Sequence, residues 1–174
     1  MEELKINPVE LSDLLALQNI SILTFSETFS ALNTEKNMRE YLEKNLSKDQ
    51  LTKEIQRTGS FFYLAEIQKQ TIGYLKLNFG EAQTEFKNQN FCELERIYVL
   101  KEFQGKYIGK RILEIAIVKA KQAKTENIWL GVWEENHKAI EFYQRNGFDV
   151  FDKHIFKLGE DNQTDLLMKL KLEA

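Results

Sequence analysis

The spacing of apolar positions changes several times along the chain, and each change marks an element. Lys5 to Val9 reads as a short opening strand. Leu11, Leu14 and Leu15, with Gln18 onward, keep the three-to-four spacing of a helix. Ser12 or Asp13 is its cap, or the helix begins one turn earlier. Asn33 and Thr34 cap a second helical stretch carrying Met38, Tyr41 and Leu42. A third helix covers about 48–58, with Gly59 as the residue that closes it. The pattern then shifts to β-rich runs. Phe61–Glu66 and Thr71–Leu77 are strands joined by the polar connection Gln68-Lys69-Gln70. Residues 80–90 form a polar loop, and Phe91–Val99 is a third strand of this group.

Helical spacing returns over Gly109–Ala123, where Ile112, Leu113, Ala116, Ile117, Ala120 and Ala123 share one face. Ile128–Val132 reads as a short buried strand. Asn136–Asn146 is a helix with Asn136 as its cap and Gly147 as its stop. Two strands, about Asp149–Leu158 and Thr164–Lys171, close the chain around the turn 159–162. This order predicts an α+β fold, with a mixed central sheet of about seven strands flanked by helices on both faces. One strand–helix–strand crossover in its middle places a ligand crevice at the carboxyl ends of the crossover strands.

Composition narrows the class without changing the layout. With 174 residues, 43% hydrophobic and 29% charged, the chain suits one globular domain spanning 1–174. One cysteine excludes an internal disulfide framework. The start Met1-Glu2-Glu3-Leu4-Lys5 has no basic and apolar leader pattern, and no apolar run approaches the roughly 20 residues of a membrane helix. A cytoplasmic protein without a membrane partner is expected. The net charge of -3 argues against nucleic acid as a partner. That charge is unevenly placed. Lys101, Lys106, Lys110, Arg111, Lys119, Lys121 and Lys124 outnumber Glu102 and Glu114, whereas Glu81, Glu85, Glu93 and Glu95 outnumber Lys87. The two segments are solvated faces, or they fit an anionic cofactor beside a cationic substrate.

Gln104-Gly105-Lys106-Tyr107-Ile108-Gly109-Lys110-Arg111 lies between a strand and a helix. Such a turn aims backbone N–H groups and the helix dipole at one spot, which suits phosphate or pyrophosphate. Cations at a helix start are unfavourable, so Lys106, Lys110 and Arg111 ask for an anion. This turn, together with Asn136-His137-Lys138-Ala139-Ile140-Glu141-Phe142-Tyr143-Gln144-Arg145-Asn146-Gly147-Phe148, resembles the GCN5-related N-acetyltransferases. The amino-terminal segments 24–29 and 33–42, with 128–134 and 163–166, look like the PaiA-type polyamine acetyltransferases of bacteria. One departure stands out: Tyr107 occupies the place of the family's middle glycine, and a tyrosine keeps the turn only if its backbone angles are ordinary there.

The resemblance implies acetyl-CoA as cofactor and a site for each of its parts. Backbone groups of Gln104, Gly105, Lys106, Tyr107, Ile108 and Gly109 would hold the pyrophosphate, with Lys110 and Arg111 adding phosphate contacts. The pantetheine arm would pair with strand residues Ile97, Tyr98 and Val99 opposite Leu130, and Asn136, Ala139, Phe142, Tyr143 and Arg145 would complete the cofactor contacts. Tyr143 is either a core tyrosine or the general acid that protonates the departing thiolate. Glu95 and Glu93 share a strand face with Ile97 and Val99 unless a bulge intervenes. They are edge charges, or the groups that take the amine's proton through water and attract a cationic substrate. Glu27, Tyr41 and Trp133 are candidates to line the amine site. Cys92 has no His/Asp partners for a nucleophile, and His137 and His154 lack metal-ligand spacing.

The expected activity is direct acetyl transfer to a primary amine, such as spermidine or spermine, without a covalent enzyme intermediate. A protein N-terminal or lysine acetyltransferase of the same fold and a non-catalytic acyl-CoA-binding regulator are the alternatives. The strand near Thr164–Lys171 is a candidate for pairing two copies into a homodimer.

Overall fold

Seven strands, contributed from both ends of the chain, pair into one sheet in a computed structural model that describes residues 3–173. They are β1 (Leu4–Pro8), β2 (Ser60–Ile67), β3 (Gln70–Phe79), β4 (Phe91–Val99), β5 (Asn127–Trp133), β6 (Asp149–Leu158) and β7 (Asp161–Lys171). The order across the sheet is β1-β2-β3-β4-β5-β7-β6. Neighbours are antiparallel except β4 and β5, which run parallel because a helix crosses between them. The helices are α1 (Leu14–Phe29), α2 (Glu35–Asn45), α3 (Lys48–Gln56), α4 (Ile108–Gln122) and α5 (His137–Arg145). Among the described residues, none is long and apolar enough to cross a membrane.

The strand alternation sorts side chains onto two faces, and each face has its own core. Leu75, Leu77, Cys92, Leu94, Ile128, Leu130 and Met168 pack beneath Ile112, Leu113 and Ala116 of α4 and Tyr143 of α5. On the other face Phe62, Leu64 and Tyr74 meet Leu17, Ile20 and Phe25 of α1, Met38 of α2 and Leu51 of α3. The mixed sheet with helices on both faces is therefore as expected.

Local signals set most boundaries. The Thr34 hydroxyl accepts the Asn37 N–H at 3.1 Å, and the Ser47 hydroxyl accepts that of Gln50 at 3.2 Å, which caps α2 and α3. Gly59 differs from expectation. The third helix ends at Gln56, Arg57 is already extended, and Gly59 (φ +86°) instead carries the chain into β2, where a Cβ would come within 2.7 Å of the Phe79 carbonyl. A second difference concerns Thr164–Lys171. That strand is paired on both sides, to β5 and to β6, so it is no edge and cannot recruit a second copy. The sheet edges are β1 and β6.

Candidate active site

The crossover β4–α4–β5 creates the site. β4 ends at Val99, a 3-10 turn over Lys101–Phe103 follows, and the chain turns through 104–107 into α4. Two side chains fasten this turn. Gln104 Nε2 donates to the Val99 carbonyl at 3.0 Å, and the Glu27 carboxylate, reaching over from α1, accepts the Lys101 N–H at 2.9 Å. Glu27 is thus a brace for the turn, although it was a candidate for the amine site. Gly105 has φ +77°. Tyr107 has φ 60° and ψ 5°, a left-handed residue at the N-cap of α4, with its ring 80% exposed. The requirement for ordinary angles at Tyr107 is overturned: the tyrosine takes the conformation that glycine would. Lys106, Lys110 and Arg111 are exposed and form no ion pair among the described residues, although Lys106 lies 5.2 Å from the centre of the Phe103 ring. The first α4 turn leaves backbone amides free, and these three exposed cations lie in and beside it, which fits a polyanionic guest.

Next to the turn, the sheet opens. β4 and β5 pair only at Phe91↔Asn127, Cys92↔Ile128 and Glu93↔Trp129, although both strands continue beyond. Ile97 and Val99 pack with the α4 core and Tyr98 with the α1 core, where its ring stacks 5.8 Å from Tyr74. Leu130 faces the α4 core across the gap. Phe142 of α5 reaches Gly109, whose notional Cβ would lie 3.8 Å from its ring tip, so the turn and α5 meet. Asn136 caps α5 by accepting the Ala139 N–H at 3.2 Å. Arg145 lies on the outer surface in an i,i+4 pair with Glu141 at 3.2 Å.

Tyr143 is positioned by the end of its own helix. The Phe148 N–H donates to the Tyr143 carbonyl and the Gly147 N–H to that of Gln144, both at 3.1 Å, a Schellman motif closed by Gly147 at φ +88°. The Tyr143 and Phe148 rings pack 5.7 Å apart, the hydrophobic contact this motif favours. The ring is buried, and burial raises the phenol's pKa well above its ordinary value, keeping the proton on oxygen. The hydroxyl forms no hydrogen bond among the described residues.

A bulge reshapes β4 where the pairing with β5 stops. Leu77 faces Leu94 but Lys76 faces Arg96, so Glu95 is the extra residue. Glu93 and Glu95 consequently do not share a face with Ile97 and Val99. They lie with Arg96 on the α1 side, within a buried polar network. Glu95 bonds Lys76 and Asn78, both at 2.6 Å, and Arg96 at 3.2 Å. Glu54 of α3 joins the same cations at 2.9 Å each. Burial alone would raise the Glu95 pKa, but Arg96 and Lys76 outweigh it and hold it at about 2. Glu93 is the reverse case: burial, then the Glu95 charge, push it up. Its oxygens accept from Asn78 at 3.0 Å and from the Thr84 N–H and hydroxyl at 2.8 and 2.6 Å. The acidic segment therefore directs much of its charge inward.

Tyr41 and Trp133 belong to one aromatic group. Tyr41 stacks on Phe25 at 4.2 Å and approaches Phe156 at 5.9 Å, and Trp133 lies 5.9 Å from Phe29. Burial raises the Tyr41 phenol to about 12. Beside this group, over Gly131, His154 stands between Glu85 and Asp165. Cys92 is buried, with its thiol pKa raised by burial, so it is protonated and inert. Glu54, Lys76, Asn78, Thr84, Glu85, His154 and Asp165 carried no local sequence signal for these roles, because each acts through partners distant in the chain.

These features define a mixed α/β fold with a basic, glycine-containing turn beside an opened sheet. The profile of the Acetyltransferase (GNAT) family matches residues 22–148, and the chain belongs to that family. It is 41% identical over 172 residues to an uncharacterized N-acetyltransferase (pepI 3'region) of Lactobacillus delbrueckii subsp. lactis, covering 99% of both chains. It is 26% identical to the spermidine N(1)-acetyltransferase of Thermoplasma acidophilum, covering 98% of this chain and 99% of that one. The crystal structure of the PaiA N-acetyltransferase of Thermoplasma acidophilum in complex with coenzyme A superposes with a TM-score of 0.81 at 25% identity, covering 98% and 99%. The protein is an N-acetyltransferase that takes its acetyl group from acetyl-CoA.

Proposed function

We propose that the enzyme, with 1–174 acting as one catalytic domain, transfers the acetyl group directly to a primary amine of a polyamine such as spermidine or spermine. The observation that carries this reading is the aromatic group of Phe25, Phe29, Tyr41, Trp133 and Phe156 at the carboxyl end of β5. Aromatic faces attract ammonium groups, and the carboxylates of Glu85 and Asp165 stand on the same side of the sheet. The full-length similarity to a spermidine N(1)-acetyltransferase supports the same class.

Acetyl-CoA supplies a thioester, whose carbonyl carbon the amine attacks. Backbone groups from Gln104 to Gly109 hold its pyrophosphate, Lys106, Lys110 and Arg111 neutralise phosphate charge, and the unpaired stretch of β4 at Ile97 and Val99 aligns the arm along the gap. Bringing the two reactants together in one oriented site supplies much of the rate. Tyr143, protonated by burial, donates to the departing sulfur. Glu95, held ionised by two cations, and Glu93 fix the bulge in β4 beside the arm.

The test is thiol release from acetyl-CoA with spermidine, against an amine-free control, a peptide with a free N-terminus and a Tyr143→Phe variant. Spermidine-dependent release is expected, falling roughly 10²–10³-fold in the variant while coenzyme A still binds. Release with the peptide alone would overturn the polyamine reading.

A further inference from the structure

Four largely buried charges close into a ring at the bulge of β4. Lys76 of β3 lies 2.9 Å from Glu54 and 2.6 Å from Glu95, and Arg96 of β4 lies 2.9 Å from Glu54 and 3.2 Å from Glu95. Anions and cations alternate, so the ring is neutral. Three of its members are strand residues, and Glu54 alone comes from a helix, α3. Gln50, one turn earlier in α3, donates to the Glu54 carboxylate at 2.9 Å and steadies it. Burial would raise the Glu54 pKa, but Arg96 and Lys76 outweigh it and hold it below its ordinary value.

We propose that Glu54 is a positioning residue for the arm of the cofactor: by holding the bulged register of β4, it keeps the main-chain groups of Ile97 and Val99 turned to the gap. The flank each residue faces is set by the pairing with β3. The Leu100 N–H donates to the Ile72 carbonyl at 2.8 Å, so by strand alternation Tyr98 also bonds towards β3, and Ile97 and Val99 open on the other flank. That flank has no β5 partner after Glu93.

The bulge is what produces this assignment. With it, Lys76 faces Arg96 and Leu75 faces Ile97. Without it, Lys76 would face Glu95, Leu75 would face Arg96, and Ile97 and Val99 would be tied to β3 in place of Tyr98. Apolar burial does not choose between the two registers, since Ile97, Tyr98 and Val99 find a core on either face. The charges do choose. In the flat register Arg96 would point with Leu75 into the apolar core beneath α4, a heavy cost for a guanidinium. Glu54 makes the α1 side the place where that guanidinium is paired. The extra residue, Glu95, stays in the ring beside it.

This inference rests on the reading that the arm lies along Ile97 and Val99. The probes are coenzyme A and phosphoadenosine diphosphate, its nucleotide end without the arm. The ratio of their dissociation constants, read by titration calorimetry, measures what the arm adds. A charge removed from the protein acts on both anions alike, so the ratio isolates the arm. In Glu54→Gln the ratio should fall about tenfold, with the nucleotide end still binding within about twofold of wild type. Glu54→Met combined with Lys76→Met removes one anion and one cation, keeps the buried charge balanced, and should show the same loss in a folded protein. Leu51→Ala, in the same helix but outside the ring, should lower the thermal midpoint and keep the wild-type ratio. A wild-type ratio in the Glu54 variants, or an equal loss in Leu51→Ala, would overturn the proposal. Amide exchange separates it from the reading beneath it. In the wild type, coenzyme A but not its nucleotide end should slow the amides of Ile97 and Val99. If it does not, the arm lies elsewhere and both ideas fall; if it does while the Glu54 variants keep their ratio, only the role of Glu54 falls.

Discussion

Tyr107 shows what a single residue tolerates when its surroundings over-determine it. A left-handed tyrosine is disfavoured by roughly 1–2 kcal/mol, and glycine would remove that strain while adding freedom to the unfolded chain. Tyr107→Gly should therefore stabilise the protein by a net of about 0.5–1 kcal/mol, seen as a thermal midpoint a few degrees higher. Tyr107→Val should move the midpoint the other way. Glu95 gives a second prediction at this scale. Its pKa lies at about 2 in the fold against an ordinary 4.5. Such a depressed acid contributes stability that is complete above the unfolded value and is lost as pH falls towards the folded one. Acid unfolding curves of the wild type should thus show a steeper loss between these two values than curves of Glu95→Gln.

At the scale of elements, the end of α5 and the bulge in β4 do opposite kinds of work. The α5 terminus is local. Its stop at Gly147 was legible because a glycine after a helical run is a short-range signal, and the positive φ bears it out. Gly147→Ala should cost about 1 kcal/mol and lower kcat by more than the stability loss explains, because the Schellman bonds that it strains also hold the backbone of Tyr143. The bulge is not local. The run Glu93-Leu94-Glu95-Arg96-Ile97 alternates acceptably with or without an inserted residue, and only the pairing of Lys76 with Arg96 decides the matter. Lys76 is almost fully buried between Glu54 and Glu95. Lys76→Met leaves these two buried carboxylates sharing the single cation Arg96 and should cost about 3 kcal/mol by chemical denaturation, more than a methionine's packing returns.

For the whole molecule, the crossover was readable because periodicity changes from strand to helix to strand are strong, and the basic turn came with it. The aromatic and acidic group beside the crossover was not readable. It is assembled from α1, α2, the 80–90 loop and three strands, so residues such as Glu85, His154 and Asp165 meet only once the sheet exists. β4 and β5 separate after three pairs, so a ligand lodged between them should tie the two halves of the sheet together. Coenzyme A at about 100 times its dissociation constant should raise stability by about 2.7 kcal/mol, measured as a shift in thermal midpoint that shrinks with added salt.

The brief pairing of β4 with β5 also makes this an unfinished sheet. From Leu94 to Val99, β4 has a partner on one flank only. Exposed strand flanks normally invite foreign chains, but this one lies inside the sheet, with β3 on one side and β5 on the other. On the proposed reading the co-substrate serves there as one more strand. Main-chain amides along this flank should exchange with solvent readily in the free protein and slow sharply when coenzyme A takes the place.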